Sequence, residues 1–173
     1  MIERTHNEGD TSSVAVYSDC EKYRYSLSRS WSKSAKRVTF IMLNPSQATE
    51  MRNDPTVERC ERRARTLGFA GFTVVNIFAW RETDPKALRK AQNPIGAFND
   101  DAILTASREA STTIAAWGTH GAHLDRGPQV ARMLSEQGHR LHHLGLSKAG
   151  HPRHPLYLSY TVTPETWHSP YGV

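Results

Sequence analysis

Four short apolar runs stand out along a chain of otherwise mixed polarity. The first is Val38-Thr39-Phe40-Ile41-Met42-Leu43, closed by Asn44-Pro45-Ser46. A continuous apolar run bounded by turn residues predicts a strand buried on both faces. Pro45 cannot donate to a sheet ladder and holds Asn44 out of the α region, so the strand ends there. The second run is Phe72 to Trp80, broken by Asn76, whose amide needs partners if it is buried. The third is Thr112 to Trp117, followed by Gly118-Thr119-His120-Gly121, and the fourth is Leu141 to Leu146.

Helical spacing fills the gaps. Asp54 is a candidate N-cap with Pro55 at the first helical position, and Val57, Cys60, Ala64 and Leu67 recur on one face before Gly68. The opposite face carries Arg59, Arg62, Arg63 and Arg65. Such a face is either solvated or a phosphate contact. Asp84-Pro85 opens a short helix, Asn99 caps another, and Gln129 to Gln137 predicts a third with Val130 and Leu134 buried. Residues 14–31 alternate with period two and predict an N-terminal β-hairpin. Residues 1–12 read as a flexible arm, and the tail after Leu158 shows little regular pattern.

Strands alternating with helices predict an α/β fold built on a mostly parallel four-stranded central sheet. In such a sheet the carboxyl ends of the strands share one edge, which is where ligands bind. Asn44, Asn76 to Arg81, Gly118 to His120 and Ser147 to His154 all follow strand ends, so they are expected around one cleft.

Composition narrows the class. The chain has 173 residues, 38% hydrophobic and 23% charged, which suits one soluble domain over 13–173. Nothing in it reaches the length of a membrane span. Two distant cysteines, Cys20 and Cys60, argue against a disulfide scaffold, a zinc ribbon or a four-thiolate cluster and favour the cytoplasm. A net charge of +5 is compatible with a polyanion. His139, His142, His143, His151 and His154 are dense, but alternate strand positions face opposite ways, so no metal site is expected.

The segments LNPSQAT, NDPT, VVNIFAWR, AAWG and GHPRHPLYL resemble a bacterial and phage family catalogued as a domain of unknown function. More distantly, they resemble the uracil-DNA glycosylase superfamily. The superfamily's first motif is matched by Leu43-Asn44-Pro45-Ser46, its strand asparagine by Asn76 and its Trp-Gly by Trp117-Gly118. Its His-Pro-Leu is matched by His154-Pro155-Leu156. Ser46 departs from the usual glycine, and Thr56 stands where an aromatic often stacks on the base.

The resemblance implies a three-layer α/β/α, uracil-DNA glycosylase-like domain that acts on DNA, single-stranded or with a flipped base, as a monomer without cofactor. It implies hydrolysis of the N-glycosidic bond of a uracil-like or modified base. Asn44 would hold a water and His154 would stabilise the leaving base. Leu43, Pro45, Ser46, Asn76, Phe78, Trp80, Arg81 and Gly118 would line the substrate site. Lys148, His151 and Arg153 would meet the DNA. His151-Pro152 is a second His-Pro, so the catalytic histidine is either His151 or His154. The alternatives are a non-catalytic modified-base or nucleic-acid binding module, and an enzyme of free nucleotides or of phage DNA base modification.

Overall fold

The computed structural model describes residues 1–34 and 36–171. Residue 35 and the last two residues of the expected domain lie outside them. The strands are β1 (Ile2–Glu8), β2 (Thr11–Tyr17), β3 (Arg24–Ser30), β4 (Arg37–Met42), β5 (Gly71–Asn76), β6 (Thr112–Ala115), β7 (Leu141–His143) and β8 (Glu165–Thr166). The helices are α1 (Pro55–Thr66), α2 (Pro85–Lys90), α3 (Asn99–Glu109) and α4 (Arg126–Glu136), with a 3-10 segment over Thr119–Asp125.

One mixed sheet of eight strands, in the order β1-β2-β3-β5-β4-β6-β7-β8, overturns the expected mostly parallel four-stranded sheet of a glycosylase-like three-layer fold. β4 pairs parallel with β5 and β6, and β6 pairs parallel with β7. On one side β3 joins β5 antiparallel and brings β2 and β1 with it. On the other, β8 closes antiparallel on β7. The added strands lack an apolar run because they lie at or near the sheet edges, where one or both faces meet water. β1 is the clearest case. It occupies the expected flexible arm and pairs with β2 from Ile2↔Tyr17 to Glu8↔Thr11, yet five of its seven residues are exposed. Gly9 turns the hairpin with φ +59°, a conformation that glycine adopts without Cβ strain.

Alternation along the central strands divides the core. Phe40, Met42, Phe72, Val74 and Ile114 pack with Val57, Cys60 and Ala64 of α1. Ile41, Val75, Ile77 and Ala115 pack with Ile103 of α3 and Val130 and Leu134 of α4. Asp54 caps α1 by accepting from Val57 N–H at 2.8 Å, with Pro55 at the helix start. The expected cap of α3 is corrected. The Asn99 side chain is buried, and its Nδ2 donates to the backbone oxygens of Asn76 at 2.8 Å and Ile77 at 3.1 Å. It staples α3 to the end of β5 instead of capping its own helix.

The arginine face of α1 divides: Arg62 and Arg65 are exposed, while Arg59 and Arg63 are spent on the chain's own backbone. Arg63 is fully buried and donates to the backbone oxygens of Val162, Leu158 and Ser159, while Arg59 donates to Leu158 O. Arg59, Arg62 and Arg63 also surround the Tyr160 ring, with guanidinium carbons 4.3, 5.5 and 5.4 Å from its centroid. This clamp holds the segment that follows His154 against α1.

Candidate functional site

A cavity of about 770 Å³ opens at the edge where β4, β5 and β6 end. Its size falls in the usual range for small-molecule sites. Buried Arg24, Met42, Leu43, Asn76 and Trp117 form the inner wall, and exposed Gln47, Thr83, Thr119, His120 and Arg153 form the rim.

The end of β4 supplies Asn44. Its Nδ2 donates to the backbone oxygens of Glu82 at 2.6 Å, Pro45 at 3.2 Å and Trp80 at 3.4 Å. Those bonds fix the amide, and its Oδ1 takes no donor among the described residues. An acceptor held in this way can orient a water but cannot remove a proton as a carboxylate would.

Asn76 ends β5. It lies opposite Met42 in the ladder, and its carbonyl accepts from Asn99. Asn76 is 1% exposed and lines the cavity, and neither Oδ1 nor Nδ2 of its side chain has a partner among the described residues. A structural hydrogen bond for this amide, one reading of the sequence, is not formed there. Leaving such a pair dry would cost on the order of 1–3 kcal/mol per group, so whatever fills the cavity must bring a matching donor and acceptor.

The His-Pro loop forms the far wall. Gly118 N–H donates to Pro152 O at 2.8 Å, tying the end of β6 to this loop. Gly118 has φ +70°, and a Cβ built there would lie 3.9 Å from that of His154. His154 Nδ1 accepts from Leu156 N–H at 3.3 Å, so the neutral ring carries its proton on Nε2. Burial holds the His154 pKa below the ordinary histidine value, and the nearby Asp54 carboxylate offsets part of that. At neutral pH the ring is therefore an uncharged hydrogen-bond donor. His151 also lines the cavity, with a buried, unpartnered Nδ1.

Eight of the expected residues line this cavity: Leu43, Asn44, Ser46, Asn76, Gly118, His151, Arg153 and His154. Five do not. Pro45 is buried behind the turn, and Phe78 is fully buried against His123. Trp80 packs edge-on against Tyr23. Arg81 turns away, donating to Glu21 O at 3.0 Å and lying over Tyr17, and Lys148 is exposed outside the cavity.

Arg24, Asp54, Glu82 and Trp117 join the lining without having been assigned to it from the sequence. The cap signature of Asp54 was legible and could have placed its carboxylate at the mouth of the same loop. Arg24 had no comparable signal, because it reaches the site only through the antiparallel pairing of β3 with β5. The dense histidines do not gather into one site: His151 and His154 line the cavity, whereas His142 Nδ1 pairs with Thr113 O and His143 Nδ1 accepts from Gly145 N–H. Among the described residues no three His, Cys, Asp or Glu are grouped to hold a metal ion, and no helix is long and apolar enough to cross a membrane.

Residues 24–156 match the family described as protein of unknown function (DUF1643), and the chain belongs to that family. No curated protein and no solved structure matches it.

Proposed function

We propose that this pocket hydrolyses the N-glycosidic bond of a uracil-like or modified base, presented in DNA after leaving the stack. The observation that carries the reading is Asn76, a buried amide on the cavity wall with both polar atoms unspent. One edge of a pyrimidine offers the complementary acceptor and donor side by side. The likeness of four short motifs to the uracil-DNA glycosylase superfamily supports the same reading.

The chemistry follows from the three side chains. As the C1′–N bond lengthens, its electron pair moves to the departing base and positive charge builds on the sugar. His154 lines the cavity and its Nδ1 is occupied, so its Nε2–H is left to donate to the base oxygen as that oxygen gains charge. Asn44 Oδ1 orients the water whose oxygen bonds to C1′. The amide takes no proton, so the water loses its proton late, to solvent or to the released base anion. Half-buried Asp54 lines the same cavity, its oxygens held by Val57 and Ala48 N–H at 2.8 and 3.2 Å.

The test is incubation of the protein with oligonucleotides bearing a panel of normal and modified bases, followed by alkaline cleavage at abasic sites. Cleavage at one base class, lost in Asn44→Ala and His154→Ala, supports the reading. Tight binding of a modified base with no abasic product would make the domain a reader of that base.

A further inference from the structure

The chain buries four arginines among its described residues, and three of them are spent. Arg29 donates from Nε to Asn53 Oδ1 and from its two terminal nitrogens to Glu50 O and Thr49 O. Arg63 makes three bonds to the 158–162 segment. Arg126 donates to Ile77 O and pairs with Asp100.

Arg24 differs on both counts that matter. It is 2% exposed, yet it makes one side-chain hydrogen bond, from Nη1 to Ala48 O at 2.8 Å, and its Nε, like that of Arg63, is buried without a partner among the described residues. It is also the one buried arginine of the four that lines the 770 Å³ cavity. No carboxylate is paired with it. Asp54 exerts the largest opposite-charge influence on it, but no ion pair joins them, and each Asp54 oxygen accepts from a backbone N–H group. An arginine cannot shed its charge as a lysine can, and its planar fork is matched by a carboxylate or a phosphate. A buried, unpaired guanidinium facing a cavity is costly unless something anionic enters.

We propose that Arg24 is an anion subsite at the inner end of the pocket, and that the substrate carries a terminal anionic group there, a carboxylate or a phosphate monoester. The position excludes a backbone phosphodiester. A diester has a sugar on each side, so it needs a groove open at both ends, whereas Arg24 is almost wholly covered. Two sources remain for the same chemistry. A base entering first would bring an acidic substituent of its own. A free nucleotide would bring its 5′-phosphate. Asn76 lies on the same inner wall, so one ligand would meet the amide with its base edge and the guanidinium with its anion. This rests on the pocket's being a nucleobase site, and it narrows the substrate to an acidic one.

The experiment is calorimetric binding by the full chain, using two matched pairs and inorganic phosphate. The first pair is deoxyuridine and deoxyuridine 5′-monophosphate; the second is uracil and 5-carboxyuracil. The charged member of one pair should bind at least about tenfold tighter than its neutral partner, and which pair does so names the source. Arg24→Met, neutral and of similar length, should bring that ratio to within about twofold while leaving the neutral member's affinity nearly unchanged. Arg108→Ala, exposed on α3 and outside the cavity, should leave the ratio intact. If Arg24→Met does not fold, the wild-type protein still decides: inorganic phosphate should displace the charged ligand and not the neutral one. Equal binding within both pairs, no binding of either, or a preference that survives Arg24→Met overturns the subsite. An Arg24-dependent preference without abasic product would keep the subsite and overturn the glycosidic-cleavage reading. Cleavage of neutral bases with no anion preference would do the opposite.

Discussion

Leu156 N–H points at Nδ1 of His154, 3.3 Å away, two residues back along the same loop. That contact fixes which nitrogen of a neutral imidazole carries the proton. Together with burial it defines a histidine that donates without being charged, and it makes the ring's titration observable.

The His154 pKa should lie below 6.5, its ordinary value, because burial disfavours the imidazolium. The folded pKa is therefore depressed relative to the unfolded chain. The stability this confers is fully present above about pH 6.5 and is lost as the pH falls towards the folded pKa, because the unfolded state takes up the proton first. His143 is shifted in the same direction, also by burial. Denaturation midpoints between pH 7.5 and 5 should fall, and they should fall less steeply in His154→Gln. Nitrogen-detected NMR should report the Nε2–H form at pH 7, and Asp54→Asn should push the pKa lower still. A cationic His154 at neutral pH contradicts this account.

Asn76→Leu should separate stability from function. The leucine removes two buried, unpartnered polar atoms, so thermal stability should be unchanged or higher. Base binding should disappear. A Tm several degrees lower would mean that the Asn76 amide is a structural hydrogen-bonding group after all.

Rates should distinguish the two His-Pro histidines. His154→Ala removes a donor that strengthens as the base departs and should cost about 10²–10³ in single-turnover rate, with little change in binding. Asn44→Ala should cost a comparable factor through the water. His151→Ala should cost less, since its backbone N–H and carbonyl already shape the loop through Ser147. An inactive His151 variant beside a fully active His154 variant would reverse the assignment.

Arg63→Ala should loosen the segment that anchors the His-Pro loop. It removes three hydrogen bonds and leaves Val162 O without its donor, while Leu158 O keeps Arg59 and Ser159 O keeps Val162 N–H, and it should destabilise the fold by on the order of 3 kcal/mol. Urea denaturation measures that loss. Hydrogen exchange should show faster exchange over residues 158–162, and wild-type rates there would argue that the clamp around Tyr160 does not need Arg63.

What the sequence determined is what local physics determines. The apolar runs place β4 to β7 because burial on both faces leaves an uninterrupted hydrophobic signature. Asp54-Pro55 starts α1 because a carboxylate cap and a proline without N–H satisfy the same few backbone groups wherever they occur. Asn44 stood out as a polar residue ending an apolar run, and Asn76 as one interrupting the run from Phe72 to Trp80; the structure ends β5 at Asn76. Only tertiary structure decided the rest, because the deciding contacts are far apart in the chain. β1 pairs through its backbone and buries little, so its side chains carry no pattern to read. The arginine face of α1 looks like a solvated stripe until a segment almost 100 residues later folds over it. Arg24 reads as an ordinary strand arginine. It becomes a buried charge in the cavity because β3 runs antiparallel to β5, which puts the start of one strand where the other ends.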